Sequence, residues 1–577
     1  MTIRPTSSPA TNFSVALLAE FVRLGARDIV VSPGSRSQAL ALAAAEFEKQ
    51  GLLRLRVRID ERVGAFLALG LAVETGSPVL VVTTSGTAVA NLHPAVLEAH
   101  HSAVPLIIIS ADRPDSLRGI GSNQTTQQPG IFGTAVHHTW DVDAPTGAAG
   151  EMDAAAQLAR DAVAAVNGPV HLNLSFAEPL SAPFTWHPSE DDVAVQPDAA
   201  GEPDYPDLFS ELNPGTDNTG TDNTGTPLSS RSATPLALSP MPATVVIAGT
   251  GAGPRAEEVA RQLGAPLIAE AASGAHFGPN LVVAYRELLN TANFGDRVAR
   301  VIVFGHPTLS REVPALIQRS GVETIVVRHP SADDYNPGRC VRLFVDDVAV
   351  SGEVTDRAWL GRWVSSSRQL LETESIAPNI DADAGTHAKS ELAIVRTRVD
   401  RRMLAEAVWR ATWPHDRLVL GASRLIREVD RVVPGKKIPV HANRGLAGID
   451  GTISTALGIA LASQAAPGNG GITRVLLGDL AIFHDVGALM FGVGEPRPRI
   501  QVIVGNDGGG TIFDALEVAG QAGDGFDRVL LTQQNASIEA LAVAYGWRYV
   551  SAATRGELDQ ALSAHPEPTI IEVPLNR

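Results

Sequence analysis

The sequence predicts an α/β protein with three doubly wound, parallel-sheet domains. Short apolar runs of strand length alternate with stretches of helical spacing: Ile29–Val31, a helix over Gln38–Glu48, Val79–Thr83, a helix over Ala88–His100, then Leu106–Ser110. Runs such as Val79–Val82 and Leu106–Ile109 are apolar at every position, as strands covered on both faces require. At 577 residues the chain is also too long for one core and suits three or four domains.

Taken in order, the first α/β domain spans residues 12–180. Residues 181–241 are of another kind, rich in proline and serine and holding the tandem repeat Thr216–Gly220 and Thr221–Gly225. They carry too few large apolar residues for a core and read as a linker or insertion. A central α/β domain follows over 242–350. Its Gly249-Thr250-Gly251-Ala252-Gly253-Pro254 loop has proline at the third glycine position and no well-placed downstream acid, so it reads as structural rather than as a dinucleotide loop. A second linker covers 351–396, and a last α/β domain, 397–577, ends on the strand Thr569–Val573.

A net charge of −17 argues against general nucleic-acid binding, which favours a basic surface. The apolar runs are too short to cross a bilayer, and Met1–Ala10 lacks the apolar centre of a signal peptide. One cysteine, Cys340, allows neither an internal disulfide nor a cysteine-based zinc site, and suits a reducing cytoplasm. His100-His101 and His137-His138 lack a third ligand at a recognisable metal spacing.

Chemistry enters with two segments near the C-terminal end. Gly478-Asp479-Leu480 follows the apolar Val475–Leu477, and Gly505-Asn506-Asp507-Gly508-Gly509 follows Val502–Val504. Magnesium asks for six oxygens in a near-octahedral shell, several from phosphate and water. Asp479 offers a carboxylate, Asn506 an amide oxygen and Gly508 a carbonyl, all expected at the carboxyl ends of neighbouring strands, where α/β sheets bind ligands. A second candidate carboxyl, Glu61 in Ile59-Asp60-Glu61-Arg62, opens an apolar helix over Val63–Val73, where the helix dipole favours an acid. Alone it reads as a plain capping residue.

The two metal segments together resemble the diphosphate signature of thiamine-diphosphate enzymes. Ser32-Pro33-Gly34-Ser35-Arg36, Asp60-Glu61-Arg62, Thr84–Asn91, Ala111–Pro114 and Asn123-Gln124 are similar to the N-terminal motifs of the menaquinone-pathway MenD family. Gly421–Arg427 and Asn443–Gly451 continue that resemblance in the family's order, while the centre of the chain matches weakly. The second metal segment departs from the family's three consecutive asparagines, since Asp507 follows Asn506.

The resemblance implies thiamine diphosphate with Mg2+ or Mn2+, the metal anchoring the diphosphate rather than activating water. Glu61 would protonate the aminopyrimidine ring, and Ile449 would hold the cofactor bent. Thr84, Ser85 and Gly86 would contact the cofactor from the first domain. Gly478, Asp479, Leu480, Asn506 and Gly508 would do so from the last. Its implied substrates are 2-oxoglutarate, which is decarboxylated, and isochorismate, which accepts the remaining four carbons by 1,4-addition. Arginine grips carboxylates in a bidentate fork, so an acidic chain with arginines in its motif loops suits such substrates. Arg36, Arg113, Arg427 and Arg444 are the candidates, with Arg311 as a further contribution, Ser423 as hydroxyl donor, and Asn123 and Gln124 as amide partners. The nearest alternative is a thiamine-dependent decarboxylase or carboligase of the acetolactate-synthase type, whose smaller substrate needs fewer carboxylate partners. In this enzyme class sites form where two chains meet, which implies a homodimer or homotetramer.

Overall fold

A computed structural model describes residues 6–185, 234–329, 333–373, 395–465, 471–521 and 523–577. The tandem repeat, with most of the 181–241 segment, and residues 374–394 of the second linker lie outside the described residues. The chain divides into two compact units, Met1–Ala233 and Thr234–Arg577.

The first unit is built on six parallel strands: β1 (Asp28–Val31), β2 (Arg54–Val57), β3 (Val79–Thr83), β4 (Leu106–Asp112), β5 (Thr139–Val142) and β6 (Val170–Ser175). Their spatial order is β2-β1-β3-β4-β6-β5. β3, β4 and β6 are buried along their whole length, because helices cover both faces. One face carries Pro9–Arg23, started by the Ser8 hydroxyl accepting the Thr11 N–H at 3.2 Å, and packed with Glu151–Ala165. The helix Glu61–Thr75, buried from Val63 to Ala72, lies against β1 and β3. The helix expected over Ala88–His100 is two helices, Thr87–Asn91 and His93–His101. Pro94 sits in the first turn of the second, where its missing N–H costs nothing, whereas inside one continuous helix it would break the ladder.

The second unit holds two main sheets and a small pair. β8 (Thr244–Ala248), β9 (Leu267–Ala269), β10 (Arg300–Phe304), β11 (Glu323–Val327) and β12 (Leu343–Val345) are ordered β12-β11-β10-β8-β9, all parallel. β7 (Leu236–Leu238) and β13 (Val348–Val350) pair beside them. The glycine-rich loop after β8 is packed shut: a Cβ on Gly249 would fall 2.0 Å from the Pro307 nitrogen, and one on Gly251 2.4 Å from the His329 ring. Gly249 and Gly251 therefore serve loop-on-loop packing.

The last sheet comprises β14 (Arg417–Leu420), β15 (Val440–His441), β16 (Thr473–Gly478), β17 (Ile500–Asn506), β18 (Arg548–Ser551) and β19 (Thr569–Pro574), ordered β15-β14-β16-β17-β19-β18. Counted from its own first strand, this is the order of the sheet in the first unit. In both, the order of strands across the sheet reverses between the first and third strands, the place where α/β sheets open a ligand crevice.

Candidate active site

In the first unit, the predicted residues gather on loops that leave the carboxyl ends of β1, β3 and β4. The Ser32–Arg36 turn presses on β3's loop so closely that a Cβ on Gly34 would sit 2.3 Å from the Thr84 Cβ. Ser85 and Gln124 clasp each other: the Ser85 hydroxyl donates to the Gln124 carbonyl at 3.0 Å, and the Gln124 amide donates to the Ser85 carbonyl at 3.0 Å. Gly86 (φ +80°) and Gln124 (φ +56°) both take left-handed backbone, and a Cβ on Gly86 would meet the Gln124 side chain at 3.1 Å. Arg113, buried, donates to the Ser85 hydroxyl and, at 2.8 Å, to the Gln124 carbonyl. Burial, then the nearby Arg36 guanidinium, lowers the Arg113 pKa, the mark of cations gathered where an anion would relieve them. Arg36 is itself held by the Phe176 carbonyl at 3.0 Å, and Asn123 is exposed.

Glu61 is half-buried at the first turn of its helix, whose start is capped by Asp60 accepting the Arg62 and Val63 N–H groups. The Asn91 amide reaches the Glu61 carboxyl at 3.5 Å. Gln128 escaped the sequence reading. Fully buried, it accepts the Gly86 N–H at 3.1 Å and donates to the Ala111 carbonyl at 3.1 Å and to Asn173 at 2.7 Å, thereby tying the β3 loop to β4 and β6. No signal in the Thr125–Pro129 segment distinguishes it from its polar neighbours.

In the second unit, β16 and β17 are parallel neighbours with Gly478 opposite Gly505, so Asp479 and Asn506 follow side by side at one sheet edge. Asp479 is buried and accepts the Leu480 N–H at 2.9 Å. Burial, then Asp507, pushes its pKa up to about 6. Such a carboxylate is short of positive charge. Asn506 donates its amide to Glu572 at 2.7 Å, which turns its oxygen the other way, toward the Gly508 N–H at 3.3 Å. Asp507 is bound by Arg401 at 2.7 Å and by Thr511 at 2.5 Å, so its charge is met within the protein. A Cβ on Gly478 would meet nothing within 4 Å, and one on Gly508 only Gln533 at 3.9 Å. Hard oxygen donors, a carboxylate lacking a counter-charge and glycine surfaces open to a bulky anion together fit a divalent cation carrying a diphosphate.

The remaining candidates stand after β14 and β15, except Arg311, which follows β10. Ser423 caps the helix Arg424–Val432, accepting the Leu425 N–H at 3.0 Å, and its carbonyl receives Arg427 at 2.9 Å. Burial, then Arg286, lowers the Arg427 pKa. Arg444 is buried and donates to the Thr308 hydroxyl at 2.7 and 2.9 Å and to the Thr308 carbonyl at 3.2 Å. Ile449 is half-buried, and Arg311 is exposed, 3.9 Å from Glu517.

The parallel α/β sheets, taken with the family match of the first domain, place the chain in the class of thiamine-diphosphate-dependent enzymes. Residues 11–135 match the family described as thiamine pyrophosphate enzyme, N-terminal TPP binding domain. The particular family follows from whole-chain likeness. The chain is 56% identical to the 2-succinyl-5-enolpyruvyl-6-hydroxy-3-cyclohexene-1-carboxylate synthase of Leifsonia xyli, over 99% of this chain and 97% of that one. It is 53% identical to the synthase of that name in Clavibacter michiganensis, with the same coverage, and 38% identical to that of an Arthrobacter strain over 99% of this chain and 92% of the relative. The chain belongs to this synthase family, the MenD family of menaquinone biosynthesis. Among the described residues no helix is long and apolar enough to cross a membrane.

Proposed function

We propose that this chain decarboxylates 2-oxoglutarate and adds the remaining four carbons, by 1,4-addition, to isochorismate, giving 2-succinyl-5-enolpyruvyl-6-hydroxy-3-cyclohexene-1-carboxylate and carbon dioxide. Bound thiamine diphosphate supplies a carbon nucleophile and an electron sink for the decarboxylation. Glu61 holds and moves the proton at the aminopyrimidine ring nitrogen, with Asn91 orienting its carboxyl. Asp479, Asn506 and the Gly508 carbonyl would hold Mg2+ or Mn2+, whose charge would neutralise the diphosphate, and Gly478 and Leu480 would line the same cofactor site. Thr84, Ser85 and Gly86 would contact the cofactor, and Ile449 would give it apolar support.

Arg36, Arg113, Arg427 and Arg444 take the substrate carboxylates, with Arg311 at the rim. Ser423, Asn123 and Gln124 add neutral hydrogen bonds. The observation that carries the reading is the gathering of Ser423, Arg427, Arg444, Asp479 and Asn506 at the carboxyl ends of four strands of one parallel sheet. The chain is further proposed to work in the cytoplasm as a homodimer or homotetramer.

The test is mass spectrometry of the product after incubation with thiamine diphosphate, magnesium and both substrates. An adduct equal to both substrates minus carbon dioxide, absent when either is omitted, is the expected outcome. Cofactor binding without adduct would remove the arginine-based substrate assignment.

A further inference from the structure

Glu270 follows β9, is 2% exposed, and belongs to none of the motifs above. One carboxyl oxygen accepts two backbone N–H groups, those of Thr308 and Leu309, each at 2.6 Å. Thr308 is the residue whose hydroxyl and carbonyl receive Arg444. The same turn is tied a second time, since Arg286 donates to the Leu309 carbonyl at 3.3 Å while ion-paired to Asp430. Asp430 lies on the helix that carries Arg427, and it also accepts the N–H of Ala271, next to Glu270, at 2.7 Å and the Tyr285 hydroxyl at 2.8 Å. The other oxygen of Glu270 is buried without a hydrogen-bond partner among the described residues.

We propose that Glu270 is a positioning residue for substrate binding: it fixes the Thr308–Leu309 turn on which Arg444 rests, and so aims that guanidinium at a substrate carboxylate. The inference deepens the proposed function and rests on its assignment of Arg444. Burial, then Asp430, pushes the Glu270 pKa up, which favours the neutral carboxyl, and a glutamine amide is the close mimic of that form. A neutral acceptor is all that the two N–H groups need. The distinction matters for the test, because a residue acting through its charge would not survive that replacement.

The experiment measures KM, kcat and calorimetric affinity for each substrate in the wild type, Glu270→Ala, Glu270→Gln and Thr308→Val, with thermal unfolding as the check on folding. Glu270→Ala and Thr308→Val each weaken one substrate about tenfold or more, with kcat within about threefold, because a hydrogen-bonded support of a charged group is lost. Glu270→Gln stays near the wild type, and the Ala/Val double variant is no worse than the poorer single one, since both cut the same link. Unchanged affinity in folded Glu270→Ala and Thr308→Val, or a Glu270→Gln as impaired as Glu270→Ala, overturns the inference. If Glu270→Ala does not fold, Thr308→Val and Glu270→Gln decide it. A wild type that binds both substrates but forms no adduct defeats the proposed reaction and leaves the affinities to judge Glu270; failure to bind either defeats both.

Discussion

Two glutamates show how environment assigns a role to one side chain. Glu61 sits half-buried at a helix start with an amide beside it, and replacing it by glutamine removes the proton but keeps the shape. Glu61→Gln is expected to cut turnover by about a hundredfold or more, the usual worth of a positioned acid or base, while calorimetric affinity for thiamine diphosphate and magnesium stays close to wild type. Full activity in that variant would take Glu61 out of the mechanism. Glu270 is sealed away from water and pushed up to about 8 by burial and then Asp430. Its folded pKa lies above the unfolded one, so between the two values the folded chain binds the extra proton. Stability is therefore fullest below the unfolded carboxyl pKa and declines as pH rises toward 8. Urea midpoints across that interval are expected to fall more steeply for the wild type than for Glu270→Gln; parallel curves would contradict this.

At the scale of elements, loops at strand ends carry the site, and their close approaches are specific. A methyl at Gly34 has no room beside Thr84, so Gly34→Ala should cost about 1–3 kcal/mol, the range for overpacking, and weaken cofactor binding by moving the Thr84–Gly86 loop. An unaltered unfolding temperature would show that the two turns separate freely. For the β16–β17 edge, dialysis against a chelator is expected to release thiamine diphosphate, with Mg2+ or Mn2+ restoring binding; retention of the cofactor in metal-free protein would remove Asp479 and Asn506 from that role. Much of this edge is legible in the sequence, because fully apolar runs mark buried parallel strands and the residues just after them mark the sheet mouth. What stays hidden depends on partners far along the chain. Glu270 meets Thr308 and its neighbour Ala271 meets Asp430 across 38 and 159 positions, and no local pattern announces either. Gln128 is hidden in the same way, since its partners are a backbone N–H 42 residues earlier and Asn173 45 residues later. The broken helix at Leu92 is different: Pro94 was in view, and apolar periodicity alone concealed its effect.

For the whole molecule, light scattering at micromolar concentration is expected to give at least twice the 60.5 kDa chain mass, and a stable monomer with full activity would refute the assembly. Ile59 and Leu446, both in motif segments, are 70 and 52% exposed, and Ile120, between two motifs, is 68% exposed; such apolar surface suits the proposed assembly. The fold class is readable from alternation alone, but the matching strand order of the two six-stranded sheets is not, because no repeated motif accompanies it.

That shared order has an evolutionary consequence. If both sheets descend from one duplicated ancestor, the strands are the inheritance and the loops are where the copies diverged. One copy has come to present Glu61 and the Ser85–Gln124 clasp, the other Asp479 and Asn506. Since strand order outlasts sequence likeness, homology between the halves would be sought by superposing strand ends, where Ser32, Thr84 and Asp112 of one sheet fall opposite Gly421, Asp479 and Asn506 or their neighbours in the other.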